Sequence, residues 1–202
     1  MATLVGCSQS SGPSLEPVGS AGDLRAALAA PEGNYRTFET PGELGREVDV
    51  VVRGTITGIA EGRSIVYDPE NYPEESQSHM VVSVRVDDIV RGQQAAGETS
   101  EVYVEVPTSV DVDTDALADA APRDVLLFLD EVDPRSGGAG TRVSDVDAGR
   151  PVDSRLYAPW PAGFLYLDGD QVEDLRIDVI ELGPGWSEHR SLDSLERAAA
   201  SG

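Results

Sequence analysis

Apolar and polar residues alternate in three separate stretches of the chain, residues 48–58, 80–90 and 102–106. Successive side chains of a β-strand point to opposite faces, so a period of two predicts strands with one buried face. A fourth stretch, VLLFL at 125–129, is apolar on both faces and predicts a central strand. The chain is therefore expected to be mainly β.

Glycines interrupt the first of these strands. Gly54 and Gly58 fall on its apolar face, which favours bends or a bulge, as in a strand that coils around a small barrel. Two further strands are expected within residues 164–182, on either side of a turn at 168–170. Five or six short strands with few helices favour a small closed β-barrel over a parallel sheet.

Short helices are expected to flank the strands, and a long connection, rich in Gly, Pro and Asp, is expected at 133–162. Thr40 can cap a helix that begins at Pro41, with Glu43 completing a capping box. Other helices are predicted at residues 23–30, 115–120 and, after a capping serine, 192–200. The expected organisation is a lipobox remnant and flexible tether at 1–22, a helical lead-in at 23–47, a barrel at 48–182 and a C-terminal helix at 183–202.

The strand pattern of about residues 40–180 resembles a bacterial secreted module and the five-stranded OB barrel of netrin-like domains. The segments that carry it are DVVVRGTITGI, VVSVRVDDIVRG, EVYVEVP, DVLLFLDEV and GFLYLDGDQVEDL. The bacterial module is typical of lipoproteins of actinobacterial type, and the resemblance to it implies an OB-like β-barrel and an extracytoplasmic location. It implies no catalytic residue, because one fold hosts many unrelated functions.

The N-terminus carries a second motif. Leu4-Val5-Gly6-Cys7 resembles a bacterial lipobox, and Cys7 is the single cysteine of the chain. Residues 8–22 are rich in Ser, Gly and Pro and predict a disordered tether. The charged and apolar regions of a signal peptide do not precede the cysteine, which leaves open a start further upstream or a chance cysteine. The favoured interpretation is lipidation of Cys7 and anchorage to the membrane, outside the cytoplasm.

Composition excludes several classes of function. The formal net charge is −22, which repels a phosphate backbone, so no nucleic-acid partner is expected. One cysteine excludes a disulfide scaffold and a zinc site built from cysteines. His79 and His189 are interpreted as exposed loop histidines, and no nucleophile or phosphate-loop pattern accompanies them. We therefore expect no catalytic residue and no cofactor.

Two groups of residues are candidates for binding. Tyr157 and Trp160, with Tyr67 and Tyr72 from another loop, are predicted to form a surface for a partner or a ligand, with core packing or cover of a barrel mouth as the alternative. The second group is acidic: Asp111, Asp113 and Asp115 match the first positions of a calcium loop. An EF-hand also needs glycine at the sixth position and an acidic residue at the twelfth, where this chain has alanine and proline, so no metal site is favoured.

These observations predict a non-enzymatic, lipid-anchored protein of the cell envelope that acts as an interaction or ligand-binding module. Its expected partners are the membrane, through Cys7, and an envelope protein or small ligand whose identity the sequence leaves open. Two alternatives remain at this point: an envelope enzyme or inhibitor with an unrecognised site, and an acidic surface protein that binds cations.

Overall fold

The computed structural model describes residues 21–27, 36–93, 100–108, 113–120, 124–168, 171–175 and 182–201. In the described residues the protein is mainly β, with more residues in strands than in helices, which confirms the class that the alternating pattern predicted. No helix in the described ranges combines the length and the apolar character needed to cross a membrane.

Seven strands form one sheet in the described part of the chain. They are β1 (Val50–Val66), β2 (Gln77–Gly92), β3 (Glu101–Pro107), β4 (Asp124–Val132), β5 (Arg142–Ser144), β6 (Leu156–Asp168) and β7 (Gln171–Asp174).

Followed from each strand to its neighbour, the pairings begin at β1 and return to it. β1 lies antiparallel to both β2 and β4, and β2 lies antiparallel to β3. β3 and β6 are parallel, with Tyr103 opposite Leu156, and β6 is antiparallel to β4. β5 extends the sheet from the end of β1, and β7 pairs with β6. Residues 125–129 of β4 are buried on both faces, as their unbroken apolar run predicted.

Five short helices surround the strands in the described ranges. They are α1 (Ala21–Ala27), α2 (Pro41–Glu47), α3 (Thr114–Ala120), α4 (Pro184–Ser187) and α5 (Leu192–Ser201). Thr40 caps α2 as expected, since its Oγ1 accepts a hydrogen bond from the Glu43 amide at 3.2 Å. α4 was not predicted.

Two apolar clusters make up most of the core. The larger lies on the inner faces of β1–β4 and β6, and Leu24 of α1 and Leu117 of α3 belong to it. The second lies on the outer face of β1, β4 and β6, where Phe128 packs edge-on against Trp186 at a centroid distance of 5.9 Å. α2 and α5 cover this outer cluster through residues such as Leu44 and Leu195.

The glycines of β1 mark irregular pairing, as the sequence suggested. The register with β2 shifts between Arg53 and Gly54 and again between Ile56 and Gly58. A Cβ at Gly54 would collide with the backbone oxygen of Arg85, so the close approach of β2 requires glycine there.

The start of β6 corrects the prediction of a long loop at 133–162. β6 begins at Leu156 and includes Pro159 and Pro161. Proline cannot donate to a ladder, which is why the pattern argued against a strand. The register between β4 and β6 shifts between Leu127 and Leu129, next to Pro159, and this irregularity accommodates the prolines.

Candidate functional site

The loop between β1 and β2 carries the two most exposed tyrosines of the described chain. Tyr67 is 58% exposed and Tyr72 is 57% exposed. We call residues 67–76 the tyrosine loop. The sequence predicts that both residues belong to a partner or ligand surface, and their exposure is compatible with that prediction.

Hydrogen bonds give the tyrosine loop a defined shape. The Asp68 carboxylate accepts bonds from the Asn71 side chain at 2.8 Å and from the Asn71 amide at 3.1 Å. These two bonds hold the pKa of Asp68 below its ordinary value, and the bond from the Asn71 side chain has the larger effect. The Tyr72 amide donates to the Asp68 carbonyl at 2.7 Å, and Arg142 Nη2 of β5 donates to the Pro73 carbonyl at 2.9 Å.

The tyrosine loop is also acidic. Glu70, Glu74 and Glu75 are exposed, and none of them forms a salt bridge with another described residue. Their carboxylates and the two tyrosine rings therefore face solvent together on one short loop.

Tyr157 and Trp160 do not extend this exposed surface. Tyr157 is 4% exposed and lies in the inner core, so it is unavailable to a partner, and the prediction that placed it on a surface is corrected. Trp160 is half-buried on the other face of β6 and packs edge-on against Phe38 at 5.6 Å. The reason is that β6 already begins at Leu156, so both aromatic residues lie in a strand between two packed layers.

Residues 133–155 form a strap over the outer face of β1 and β2. A Cβ at Gly149, whose φ is +76°, would lie 2.6 Å from the Glu61 carbonyl oxygen and 2.9 Å from Val81. A buried arginine organises the strap from within. Arg150 donates to the Val146 carbonyl at 2.8 Å and to Asp147 at 3.0 Å, with its side chain 1% exposed.

A second buried arginine ties the strap to the strands. Arg63 Nε and Nη2 donate to the two Glu105 oxygens at 2.6 and 2.8 Å, and both side chains are nearly fully buried. Arg63 Nη1 donates to three backbone carbonyls at the start of the strap. They belong to Asp133, Pro134 and Ser136, at 3.2, 2.6 and 2.9 Å. Bidentate pairing and three further bonds leave the charge of Arg63 well satisfied.

His79 is a buried residue of β2, which corrects its interpretation as an exposed loop histidine. It is 9% exposed, and its Nδ1 lies 3.3 Å from the Arg63 carbonyl oxygen. Burial lowers the pKa of His79 below its ordinary value of 6.5, and the nearby Glu105 carboxylate partly opposes this. The strand begins earlier than the polar sequence suggested because Ser78 already pairs with Ser64.

His189 also differs from an exposed loop histidine. It is half-buried between α4 and α5, and its Nδ1 lies 2.7 Å from Ser194 Oγ. Ser191 Oγ accepts a bond from the Ser194 amide, which caps α5 as predicted. Among the described residues, no carboxylate bonds to His189, so the pair lacks the orienting group that a catalytic serine–histidine pair uses.

The other predicted positions contribute no assembled site in the described ranges. Cys7 and Asp111 lie outside the described residues. Asp113 and Asp115 are exposed at the start of α3, where Asp113 accepts a bond from the Ala116 amide at 3.1 Å. Within the described part of the chain, no group of three or more His, Cys, Asp or Glu side chains could hold a metal ion.

Comparison with known proteins gives no relative: no family model matches this chain, and no match was found among curated proteins or among solved structures. The tyrosine loop was found from sequence because two aromatics stand among turn-forming residues, whereas no sequence signal marked the Arg63–Glu105 pair, whose members are 42 positions apart.

Proposed function

We propose that this protein is a non-enzymatic, lipid-anchored module of the cell envelope that binds a basic protein partner through the tyrosine loop. The observation that carries the proposal is the exposure of Tyr67 and Tyr72 on a loop held by its own hydrogen bonds. Tyrosine supplies a large and rigid contact area at low entropic cost, and it is enriched at protein interfaces. A loop that is already ordered loses little further entropy on binding.

The charge of the loop supports a basic partner. Three glutamates without salt bridges to described residues stand beside the two tyrosines, and the whole chain has a formal net charge of −22. Arginine and lysine side chains bind carboxylates through charged hydrogen bonds and stack on aromatic faces. An arginine- or lysine-rich protein segment therefore fits this surface better than an acidic or a neutral one.

Site-specific photo-crosslinking in cells tests this proposal. Benzoylphenylalanine would replace Tyr72, and the matched control would place it at Ile89, which is 38% exposed near the opposite end of β2. We expect a discrete protein adduct from position 72 and none from position 89. Because the contact is electrostatic, the adduct formed by purified components should weaken as salt concentration rises.

Companion variants separate binding from folding. In this arm benzoylphenylalanine replaces Glu74 as an alternative probe position. Replacing Tyr67 and Tyr72 with alanine should then abolish the crosslink from position 74, while the melting temperature stays near that of the wild type. Equal labelling from positions 72 and 89, or no adduct from the loop at all, would refute the proposed binding surface.

The proposed anchorage rests on the sequence LVGC at residues 4–7 and on the polar stretch that follows it. Acylation at Cys7 with more than one chain would hold the protein stably at a membrane. Mass spectrometry of the protein expressed from its gene with upstream codons included, beside a Cys7→Ala variant, tests this. A diacylglyceryl mass on Cys7 is expected, and an unmodified Cys7 would exclude the anchor.

We also propose that the strands form an OB-like barrel. The pairing order β1-β2-β3-β6-β4-β1, the parallel contact of β3 with β6 and the placement of α3 between β3 and β4 support an OB-like barrel. Loops at the rim of such a barrel are held by a rigid scaffold, which suits a binding role.

A further inference from the structure

We propose that the strap, residues 133–155, is a pH-sensitive latch that Arg63 holds closed and that proton uptake by His79 releases. This inference concerns the conformation of the strap and stands on the cluster of Arg63, Glu105 and His79. Its consequence for binding rests on the proposed function of the tyrosine loop.

The three charged or titratable groups come from three neighbouring strands. Arg63 lies on β1 and Glu105 on β3, so their ion pair reaches across β2, which lies between them. His79 lies on β2, two positions from Val81, which pairs with Glu105. Residues two apart on a strand share a face, so His79 lies beside the arm of Arg63 on the outer face.

The closed latch pairs opposite charges on Arg63 and Glu105. Burial beside them disfavours the charged form of His79. The strap contributes only backbone carbonyls to this cluster, those of Asp133, Pro134 and Ser136, all bonded to Arg63 Nη1. These three hydrogen bonds between the strap and the cluster therefore depend on the position of one guanidinium.

A proton on His79 disturbs this balance. It adds a second cation beside Arg63, and in the described part of the chain Glu105 is the carboxylate whose charge acts on His79. His79 Nδ1 lies near the Arg63 carbonyl oxygen, but a backbone carbonyl does not neutralise a buried imidazolium, and Glu105 cannot keep both oxygens on Arg63 while it compensates that charge. Opening of the strap exposes the cluster to water and removes the cost of this buried charge.

Linkage gives the direction and the pH range. Burial lowers the pKa of His79 in the closed form below its ordinary value of 6.5, so the open form binds the proton more tightly. Closure is therefore fully favoured above that ordinary value. It weakens as the pH falls below 6.5 towards the lowered pKa of the closed form.

Release of the strap would reach the tyrosine loop. β5 belongs to the strap and pairs with Ser64–Val66, which lead directly into Tyr67. Arg142 of β5 also bonds the Pro73 carbonyl of the loop. If the tyrosine loop binds a partner, acidification should weaken that binding by loosening its support.

Hydrogen exchange measured by mass spectrometry tests the latch without any partner. Strap peptides of the full chain would be compared at about pH 7 and about pH 5, after correction for intrinsic exchange rates. The chain has two histidines, so His79→Gln is the test variant and His189→Gln the matched control. We expect severalfold faster strap exchange at the lower pH in the wild type and in His189→Gln, and no such change in His79→Gln.

Three outcomes would overturn the latch. One is a strap whose corrected exchange is the same at both pH values in the wild type. Another is equal loosening in His79→Gln, which would assign the effect to a carboxyl group. If His79→Gln does not fold, NMR titration of the two histidines replaces it, and a His79 midpoint that differs from the midpoint of strap opening contradicts the proposal.

Discussion

At the scale of single residues, the buried charges of this protein act on loop position more than on net stability. A buried ion pair gains little over an apolar pair because both partners lose their hydration, yet removal of one partner leaves an uncompensated charge. Arg63 and Glu105 are such a pair, and Arg63 also bonds the strap. Exchange of one partner alone for a neutral residue should therefore cost much more than the same change in a surface pair.

Glu105→Gln is expected to lower the free energy of unfolding by about 3–5 kcal/mol, because it leaves the Arg63 charge buried without a counter-charge. Glu47→Gln makes the same chemical change in the exposed pair with Arg36, and its expected cost is about 0–1 kcal/mol. Urea unfolding measures both. Equal costs for the two variants would show that Arg63 and Glu105 are not buried together.

Asp130 offers a stabilising change. Burial raises the pKa of Asp130, and the charge of Asp49 adds to this, although the bond from the Asp49 amide opposes it. An acid with a raised folded pKa weakens the fold where it is ionised, and the penalty disappears as the pH falls through that pKa.

Asp130→Asn keeps an oxygen that can accept from the Asp49 amide but removes the charge. We expect up to about 1 kcal/mol of added stability at neutral pH, since partly exposed charges are screened. The gain should vanish in acid. Asp124→Asn, at the exposed start of the same strand, should show neither effect in urea unfolding at the two pH values.

At the scale of elements, alternation predicted the strands well because a strand with one buried face has apolar residues at every second position. The predicted stretches at 80–90, 102–106 and 125–129 lie in strands, and that at 48–58 does so from Val50 onward. The first half of β6 and the burial of His79 were missed because they depend on distant partners. β6 tolerates its prolines through a register shift against β4, and His79 is buried on a face that the strap crosses.

The strap itself can be tested by two matched glycines. Gly149 and Gly140 both have positive φ, +76° and +80°, but a Cβ at Gly140 meets nothing within 4 Å. Gly140→Ala should cost about 1–2 kcal/mol from backbone strain alone. Gly149→Ala should cost about 1–3 kcal/mol more, because its Cβ collides with β1 and β2.

Thermal unfolding would give these costs, and hydrogen exchange would locate them. Faster exchange confined to the strap is expected for Gly149→Ala. If both alanine variants behaved alike, the strap would not lie against β1 and β2 as described.

At the scale of the whole molecule, the strand pairings determine which surface is left for a partner. α2 and α5 cover one outer face, and the strap covers another. The tyrosine loop stands at the end of the β1–β2 pair with both aromatic rings exposed. This arrangement depends on the return of the pairings to β1, because an open sheet would expose the inner apolar cluster instead.

The shortest ladder in that circuit, β3 with β6, is the most direct test. It consists of Tyr103 with Leu156 and Val104 with Tyr157. NMR of the labelled protein should show amide-to-Hα contacts between these parallel strands, together with contacts from β1 to both β2 and β4. Contacts from β1 to both neighbours without any between β3 and β6 would mean an open sheet, and would contradict the account.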